Sequence, residues 1–178
     1  MIRLKNLLKE LSQSDIQRCL NKIQNKQFRL IGTGDNGRVY EIDGEDKTFK
    51  ITQEQDEYKV ANIIVNRYNE FTTFIPVYYV DGKNMYIMAN ASKLPKQIKQ
   101  SIDNFMFDFS LYARNRGGEV SIFEFASQTD TIDPKVDNFI NALQTDIYKL
   151  NISDIELDLD FKSDNIMIWN EKLVMIDW

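Results

Sequence analysis

The sequence has 178 residues, of which 43% are hydrophobic and 28% charged, which predicts one compact globular domain or two small lobes that share a site. It contains no histidine and a single cysteine, Cys19, which excludes disulfide frameworks, Cys/His zinc sites and histidine-based catalysis. The formal net charge is -5, and a sequence pI of about 4.9 without a basic and aromatic stripe argues against nucleic-acid binding.

Two short helices are predicted at the start of the chain. The first has leucines at positions 4, 7, 8 and 11, and Ser14 with Gln17 forms a capping-box pattern that opens a second helix through about Asn25. A basic amphipathic helix can lie on a membrane, but leucines at this spacing more often dock on the protein's own core. We therefore expect no membrane role for residues 1–27, an N-terminal helical extension.

Strand-like runs broken by turns follow and predict a five-stranded antiparallel sheet over residues 28–90. The predicted strands are residues 28–32, 38–42, 48–52, 74–80 and 85–89. One helix is inserted after the third strand, where Thr52 and Gln55 resemble a capping box, and it ends near Tyr68.

Residues 91–178 are predicted to be mainly helical. One helix has a core-facing stripe at positions 98, 102, 105, 109 and 112, and a loop with Gly117 and Gly118 follows it. Asp133 as cap and Pro134 at the first helical position begin another helix, with a stripe at positions 139, 140, 143 and 147. The last two predicted strands are Ile166 to Trp169 and Leu173 to Ile176.

Residues 32–37 form a G-x-G-x-x-G motif, which alone is weak evidence. A Rossmann fingerprint would open a helix at this point, but the chain continues as the strand 38–42, so the glycines lie at a hairpin tip. Such a tip can place backbone N–H groups over a polyphosphate, or it can be an ordinary flexible hairpin.

Lys50 lies on the next strand, from which its ammonium group could reach phosphates beneath the glycine loop. Glu54 and Glu57, one helical turn apart on the following helix, could each pair with it. Glu57 is the preferred partner, and Glu54 stays an alternative. Otherwise these three residues are solvated charges, with the two acids favoured by the helix dipole.

Asp160-Phe161-Lys162-Ser163-Asp164-Asn165, followed after a short hairpin by Asp177, gives the strongest chemical signal. Asp160 could accept a hydroxyl proton, and Lys162 could neutralise a phosphate in transfer. Asn165 and Asp177 offer the hard oxygen ligands that Mg²⁺ prefers.

Together these motifs resemble the protein-kinase-like superfamily. The glycine motif matches G-x-G-x-x-G-x-V through Val39, Lys50 lies at the strand-three lysine, and residues 160–165 keep the D-x-x-x-x-N spacing. Ile-Asp-Trp at 176–178 is similar to the metal-binding motif of aminoglycoside and choline kinase-type phosphotransferases. Asp160-Phe161-Lys162 is instead similar to the D-L-K of protein kinases, which leaves the substrate class open.

The resemblance implies a kinase-like α+β fold, with a five-stranded antiparallel N-lobe over 28–90 and a reduced helical C-lobe over 91–178 that ends at the metal-binding Asp177. It implies ATP binding by Gly32, Thr33, Gly34, Asn36, Gly37, Val39 and Lys50 and by a hinge of Met88, Ala89 and Asn90. Asp158 and Leu159 stand where the family has histidine and arginine. The sequence has no counterpart of the family's activation segment and substrate platform after Trp178, and a partner chain or a second copy is one way in which the C-lobe could be completed.

Three functions are compatible with these residues. The first is a minimal ATP- and Mg²⁺-dependent phosphotransferase acting on an unknown protein or small-molecule hydroxyl, with Lys50, Glu57, Asp160 and Lys162 in catalytic roles. The second is a pseudokinase-like nucleotide-binding regulatory module, and the third is a scaffold. Apolar runs far shorter than about 20 residues and the absence of a secretory signal predict a soluble, cytoplasmic protein.

Overall fold

The architecture described below is that of a computed structural model, which describes residues 13–67, 70–118, 120–129, 133–150 and 161–178. The chain divides into two compact units. The first contains the described residues up to Val65 together with Val77–Asn90, and the second contains the described residues of Asn66–Pro76 and of Ala91–Trp178. Residues 66–76, which the sequence analysis places in the N-lobe, therefore group with the second unit.

The first unit is built on a five-stranded sheet, whose strands are β1 (Phe28–Thr33), β2 (Gly37–Ile42), β3 (Lys47–Thr52), β4 (Val77–Val80) and β5 (Met85–Ala89). The sheet is antiparallel, with strand order β1-β2-β3-β5-β4. Helix α2 (Gln55–Asn66) follows β3 and precedes β4. This confirms the predicted α+β fold, with one helix after the third strand of a five-stranded antiparallel sheet.

One face of this sheet holds an apolar core that is covered by helix α1 (Gln13–Gln24). Tyr40 and Phe49 stack there with ring centroids 4.7 Å apart, and Cys19 of α1 is fully buried against Phe49. The predicted second helix thus docks on the protein's own core. The leucine-rich segment predicted before it lies outside the described residues.

Ion pairs hold α1 to the turn between β2 and β3. Arg18 and Lys22 contact Glu45 at 2.9 and 2.7 Å, and Lys22 Nζ also donates to the backbone oxygen of Asp43 at 2.6 Å. Hydrogen bonds from Arg18 and Lys22 lower the pKa of Glu45 to about 2. The two basic side chains of α1 are therefore paired with an acidic residue of the first unit.

The second unit contains α3 (Lys96–Asn115), α4 (Ile122–Gln128), α5 (Pro134–Leu150) and the hairpin β6 (Ile166–Trp169)–β7 (Lys172–Met175). Asp133 caps α5, accepting from Lys135 N at 2.8 Å, as predicted. Helix α4 was not predicted. It begins because Ser121 Oγ accepts from Phe123 N, and it places Phe125 against Phe105 with ring centroids 5.2 Å apart.

The fourth strand begins at Val77, three residues later than the sequence predicts. The reason is that residues 74 and 75 pair with the last strand instead: Phe74 bridges to Met175, and Ile75 N donates to Met175 O at 2.9 Å. Pro76 then interrupts the backbone donors before β4. Within the described part of the chain, no helix has the length and apolar character needed to cross a membrane.

Candidate nucleotide-binding and metal-binding residues

Strand register places the side chains of Val39, Lys50 and Tyr86 in one row across the sheet, on the face opposite α1. Lys50 pairs with Val39 of β2 on one side and with Tyr86 of β5 on the other. Directly opposite residues in a sheet project their side chains to the same face. Sequence reasoning identified Val39 and Lys50, and the structure adds Tyr86.

A buried polar network centres on the carboxylate of Glu57, in the first turn of α2. Lys50 Nζ lies 2.6 Å from Glu57 Oε1, and Tyr86 donates its hydroxyl to the same oxygen at 2.5 Å. Thr52 Oγ1 donates to the other oxygen, Oε2, at 2.5 Å. Lys50 and Glu57 are only 5% and 3% exposed, so water cannot replace these partners. Of the two glutamates considered, Glu57 is the one paired with Lys50, and Glu54 is exposed.

A buried ion pair with further hydrogen bonds fixes the positions of its side chains more strictly than a surface salt bridge does. Desolvation makes an isolated buried charge costly, so the ammonium and the carboxylate hold each other in place, and the two hydroxyls satisfy the remaining acceptor sites. The direction of the Lys50 side chain is therefore fixed before any ligand arrives. An ammonium group fixed in this way is suited to an anionic ligand such as a phosphate.

The glycine motif forms the predicted hairpin tip between β1 and β2, closed by a hydrogen bond from Gly34 N to Gly37 O at 3.0 Å. The loop is attached to the start of α2, because Asn36 O accepts from Gln53 N at 2.8 Å. Gly37 passes close to β3: a Cβ there would lie 2.6 Å from Ile51 O, whereas one at Gly34 would meet nothing within 4 Å. Gly37 is thus required sterically by the strand that holds Lys50.

The expected adenine hinge, Met88 to Asn90, lies at the end of β5. Asn90 N donates to Asp46 O at 3.1 Å, and Ala89 O accepts from Thr48 Oγ1 at 3.4 Å. One backbone donor of the expected hinge is therefore already engaged within the first unit. Adenine recognition by these residues stays a prediction.

Asn165 and Asp177, the expected magnesium ligands, lie beside each other in the second unit. The β6–β7 hairpin pairs Ile166 with Met175. Beyond this pair, Ile176 N donates to Asn165 O at 3.0 Å. Asp177 is the next residue after Ile176, so its backbone lies close to that of Asn165. Asn165 is buried, and Trp178 packs edge-on against Phe74 at 5.7 Å. The chain is thus held on both sides of Asp177.

These two residues provide one carboxylate and one amide oxygen. Among the described residues, no group of three or more His, Cys, Asp or Glu side chains could hold a metal ion. Carboxylate and amide oxygens are hard ligands of the kind that Mg²⁺ prefers, so the chemistry of these two residues fits a magnesium ion.

The remaining expected residues belong to the loop before β6. Asp160 lies outside the described residues. Lys162 is exposed, and its backbone oxygen accepts from Asn165 N at 3.0 Å at the start of a single 3-10 turn, Ser163–Asn165. Lys99 of α3 pairs with Asp164 of this turn at 2.6 Å, and this bond lowers the pKa of the Asp164 carboxyl.

Sequence reasoning missed Asp146, a buried carboxylate of α5 with several hydrogen-bond donors around it. Its Oδ2 accepts from the backbone N–H and the hydroxyl of both Thr72 and Thr73, at 2.6 to 3.2 Å, and Oδ1 accepts from Lys149 at 2.8 Å. Burial raises the pKa of Asp146, but these bonds outweigh it and lower the pKa overall. The sequence could have pointed to it, because Asp146 lies on the same face of α5 as the apolar residues Leu143 and Leu150.

Comparison with known proteins does not assign this protein to a family. No protein-family model matches the sequence, and no curated protein matches it either. A solved structure that is similar is the ternary complex of APH(2")-IIa with streptomycin and ATP. It is 13% identical, the match covers 89% of this chain and 70% of that chain, and the TM-score is 0.36.

Proposed function

We propose that this protein is an ATP- and Mg²⁺-dependent phosphotransferase that transfers the γ-phosphate of ATP to a hydroxyl group of a protein or a small molecule. The observation that supports it best is the buried Lys50–Glu57 ion pair, held by Thr52 and Tyr86 on the strand that passes beneath Gly37. A structural ion pair alone does not require a side-chain-free loop beside it.

In the proposed reaction, an acceptor hydroxyl oxygen forms a bond to the γ-phosphorus, and the bond from that phosphorus to the β–γ bridging oxygen breaks, releasing ADP. Asp160 accepts the hydroxyl proton, and Lys50 and Lys162 offset negative charge on the phosphates. Bound magnesium would supply further charge neutralisation at the phosphates, with Asn165 and Asp177 as its protein ligands. Backbone N–H groups of residues 32–37 would contact the phosphates.

The alternative function is a pseudokinase-like nucleotide-binding module, which needs the same Lys50 and Asp177 but no acceptor. The network around Glu57 supports it as well. Contacts from Lys50, Thr52 and Tyr86 to Glu57 hold the Lys50 ammonium for an anionic ligand whether or not an acceptor binds. The two functions agree on ATP binding and differ over phosphate transfer.

A first experiment measures the change in melting temperature on addition of ATP, with and without Mg²⁺. At a ligand concentration 100 times the dissociation constant, binding stabilises the folded state by about 2.7 kcal/mol, which is easily detected. Lys50→Met should abolish the ATP-induced shift. Lys59→Met, which replaces an exposed lysine on the same helix as Glu57, is the matched control and should retain it.

A second experiment asks whether both residue sets act on one nucleotide. Lys50→Met and Asp177→Asn are compared singly and together for ATP affinity in Mg²⁺. If both residues contact the same MgATP, each single variant should weaken ATP binding in Mg²⁺, and the loss caused by Asp177→Asn should depend on Mg²⁺. Unchanged ATP affinity in either single variant would contradict a shared nucleotide and with it the proposed function.

Phosphate transfer itself is measured by intact mass and by ADP release. Wild type should form ADP, and Asp160→Asn should bind ATP equally well but lose this turnover. ATP binding without any ADP or mass change would favour the module. No ATP-induced shift in the wild type would contradict both functions and leave the scaffold.

A further inference from the structure

A cavity in the second unit is lined by none of the residues assigned above to nucleotide or metal. Its volume is about 380 Å³, and it is lined by α5, residues 72–73, and the β6–β7 turn with the start of β7. Pockets that bind small organic ligands typically measure about 300 to 1,000 Å³. All of its lining residues belong to the second unit.

The less exposed part of the lining is mainly apolar. Phe139, Leu173 and Thr73 are buried, and Ala142 is half-buried. The Thr73 hydroxyl donates to Asp146 Oδ2 at 2.9 Å, so the protein already satisfies this donor. A ligand would therefore meet mainly hydrocarbon and aromatic surface there, and it would gain most from an apolar or aromatic body.

The rim carries positive charge. Lys135, in the first turn of α5, and Lys172, at the start of β7, both line the cavity, with Glu171 beside them as the one carboxylate. Neither lysine forms an ion pair within the described part of the chain. Asn170 and Glu171 have positive φ values of 46° and 65°, so a tight turn fixes the backbone that presents Lys172.

We propose that this cavity binds an amphipathic organic anion, a small molecule with an apolar or aromatic body and one carboxylate, sulfonate or phosphate group. The body would lie on Phe139, Ala142 and Leu173, and the acidic group would face Lys135 and Lys172. Hydrophobic burial supplies affinity, and the charge at the rim selects for anions. This site goes beyond the proposed phosphotransferase function and does not depend on it.

The test uses 8-anilino-1-naphthalenesulfonate, whose aromatic body and single sulfonate match this description and whose fluorescence rises in an apolar site. Titration is performed on the full chain in saturating ATP and Mg²⁺. We expect saturable binding with one dye per chain. Ala142→Trp, which fills the cavity, should abolish it, and the double substitution Lys135→Glu with Lys172→Glu should weaken it about tenfold through the reversed charge.

Two controls keep the result interpretable. Lys83→Glu changes an exposed lysine in the turn before β5 and should leave dye affinity within about twofold, because Lys83 belongs to the first unit and does not line the cavity. The double lysine variant is confined to exposed side chains and should keep its melting temperature even if Ala142→Trp does not. The proposal would be overturned by absent or non-saturable dye binding. It would also be overturned by equal dye affinity in the wild type and the double lysine variant. Both conclusions hold whether or not the protein binds ATP.

Discussion

Gly37→Ala is expected to destabilise the protein, and Gly34→Ala, three residues away in the same hairpin tip, is expected not to. Both glycines have φ values outside the left-handed region, so alanine is compatible with the backbone at either position. The two substitutions add the same methyl group to the same loop. They differ in what that group meets, which makes the pair a test of packing alone.

The added carbon at position 37 would lie 2.6 Å from Ile51 O, 3.2 Å from Lys50 Cε and 3.3 Å from Thr52 Cα. All three distances are below the roughly 3.5 Å at which non-bonded carbon atoms attract each other. Ile51 O is backbone of β3, which pairs with β2 and β5 and cannot retreat without disturbing the sheet. Overpacking of this kind costs about 1 to 3 kcal/mol.

Thermal unfolding measures the difference. For a chain of this size, about 1 to 3 kcal/mol corresponds to a fall in melting temperature of about 2 to 12 °C. Gly34→Ala should remain within about 0.5 kcal/mol of wild type, because its added carbon meets nothing within 4 Å. Equal effects of the two substitutions, or a larger effect at position 34, would refute the reasoning.

Three further predictions concern buried polar groups. Tyr86→Phe removes one donor to Glu57 and should cost about 1.5 to 3 kcal/mol in urea unfolding. The Glu45 carboxyl has a pKa of about 2 when folded and 4.5 otherwise, so its contribution is complete above pH 4.5 and is lost as the pH falls toward 2. Glu45→Gln should therefore cost about 1 kcal/mol at pH 7 and almost nothing near pH 2, because Arg18 is half exposed and solvent screens the pair. Asp146→Asn, which places an amide among donors such as Thr73 N, should cost about 3 kcal/mol at pH 7.

Each of these substitutions has a control of the same chemistry in a less constrained place. Tyr79→Phe changes a tyrosine on the opposite face of the sheet, Glu54→Gln an exposed acid before α2, and Asp103→Asn an exposed acid on α3. Each control should alter stability by less than about 0.5 kcal/mol. For Asp146 the lowered pKa adds a check: the cost of Asp146→Asn should shrink as the pH falls below the ordinary carboxyl value of 3.8.

Local pattern was sufficient where neighbouring residues decide the structure. Strand-like runs and the turn residues between them predicted β1 to β3, and Asp133 before Pro134 predicted the start of α5, because a cap acts over two or three residues. The prediction was wrong at residues 74–76, since the pairing of Phe74 with Met175 depends on a strand about 100 residues later in the chain.

The residues of the candidate site likewise fall into those that the sequence predicts and those that only the structure reveals. Residue types and spacing singled out Lys50, Glu57, Asn165 and Asp177, because phosphate and magnesium chemistry restricts which side chains can serve. No local signal distinguished Tyr86 from an ordinary strand tyrosine, and only its register opposite Lys50 brings it to Glu57.

The sequence by itself determined which chemical groups this protein has and which elements hold them, since composition and short-range periodicity are properties of the chain. The tertiary structure decided which of those groups meet. It buried one glutamate and left the other in water, and it gathered four donors from two threonines onto Asp146. Such encounters follow from strand register and helix packing between distant residues, which no local pattern encodes.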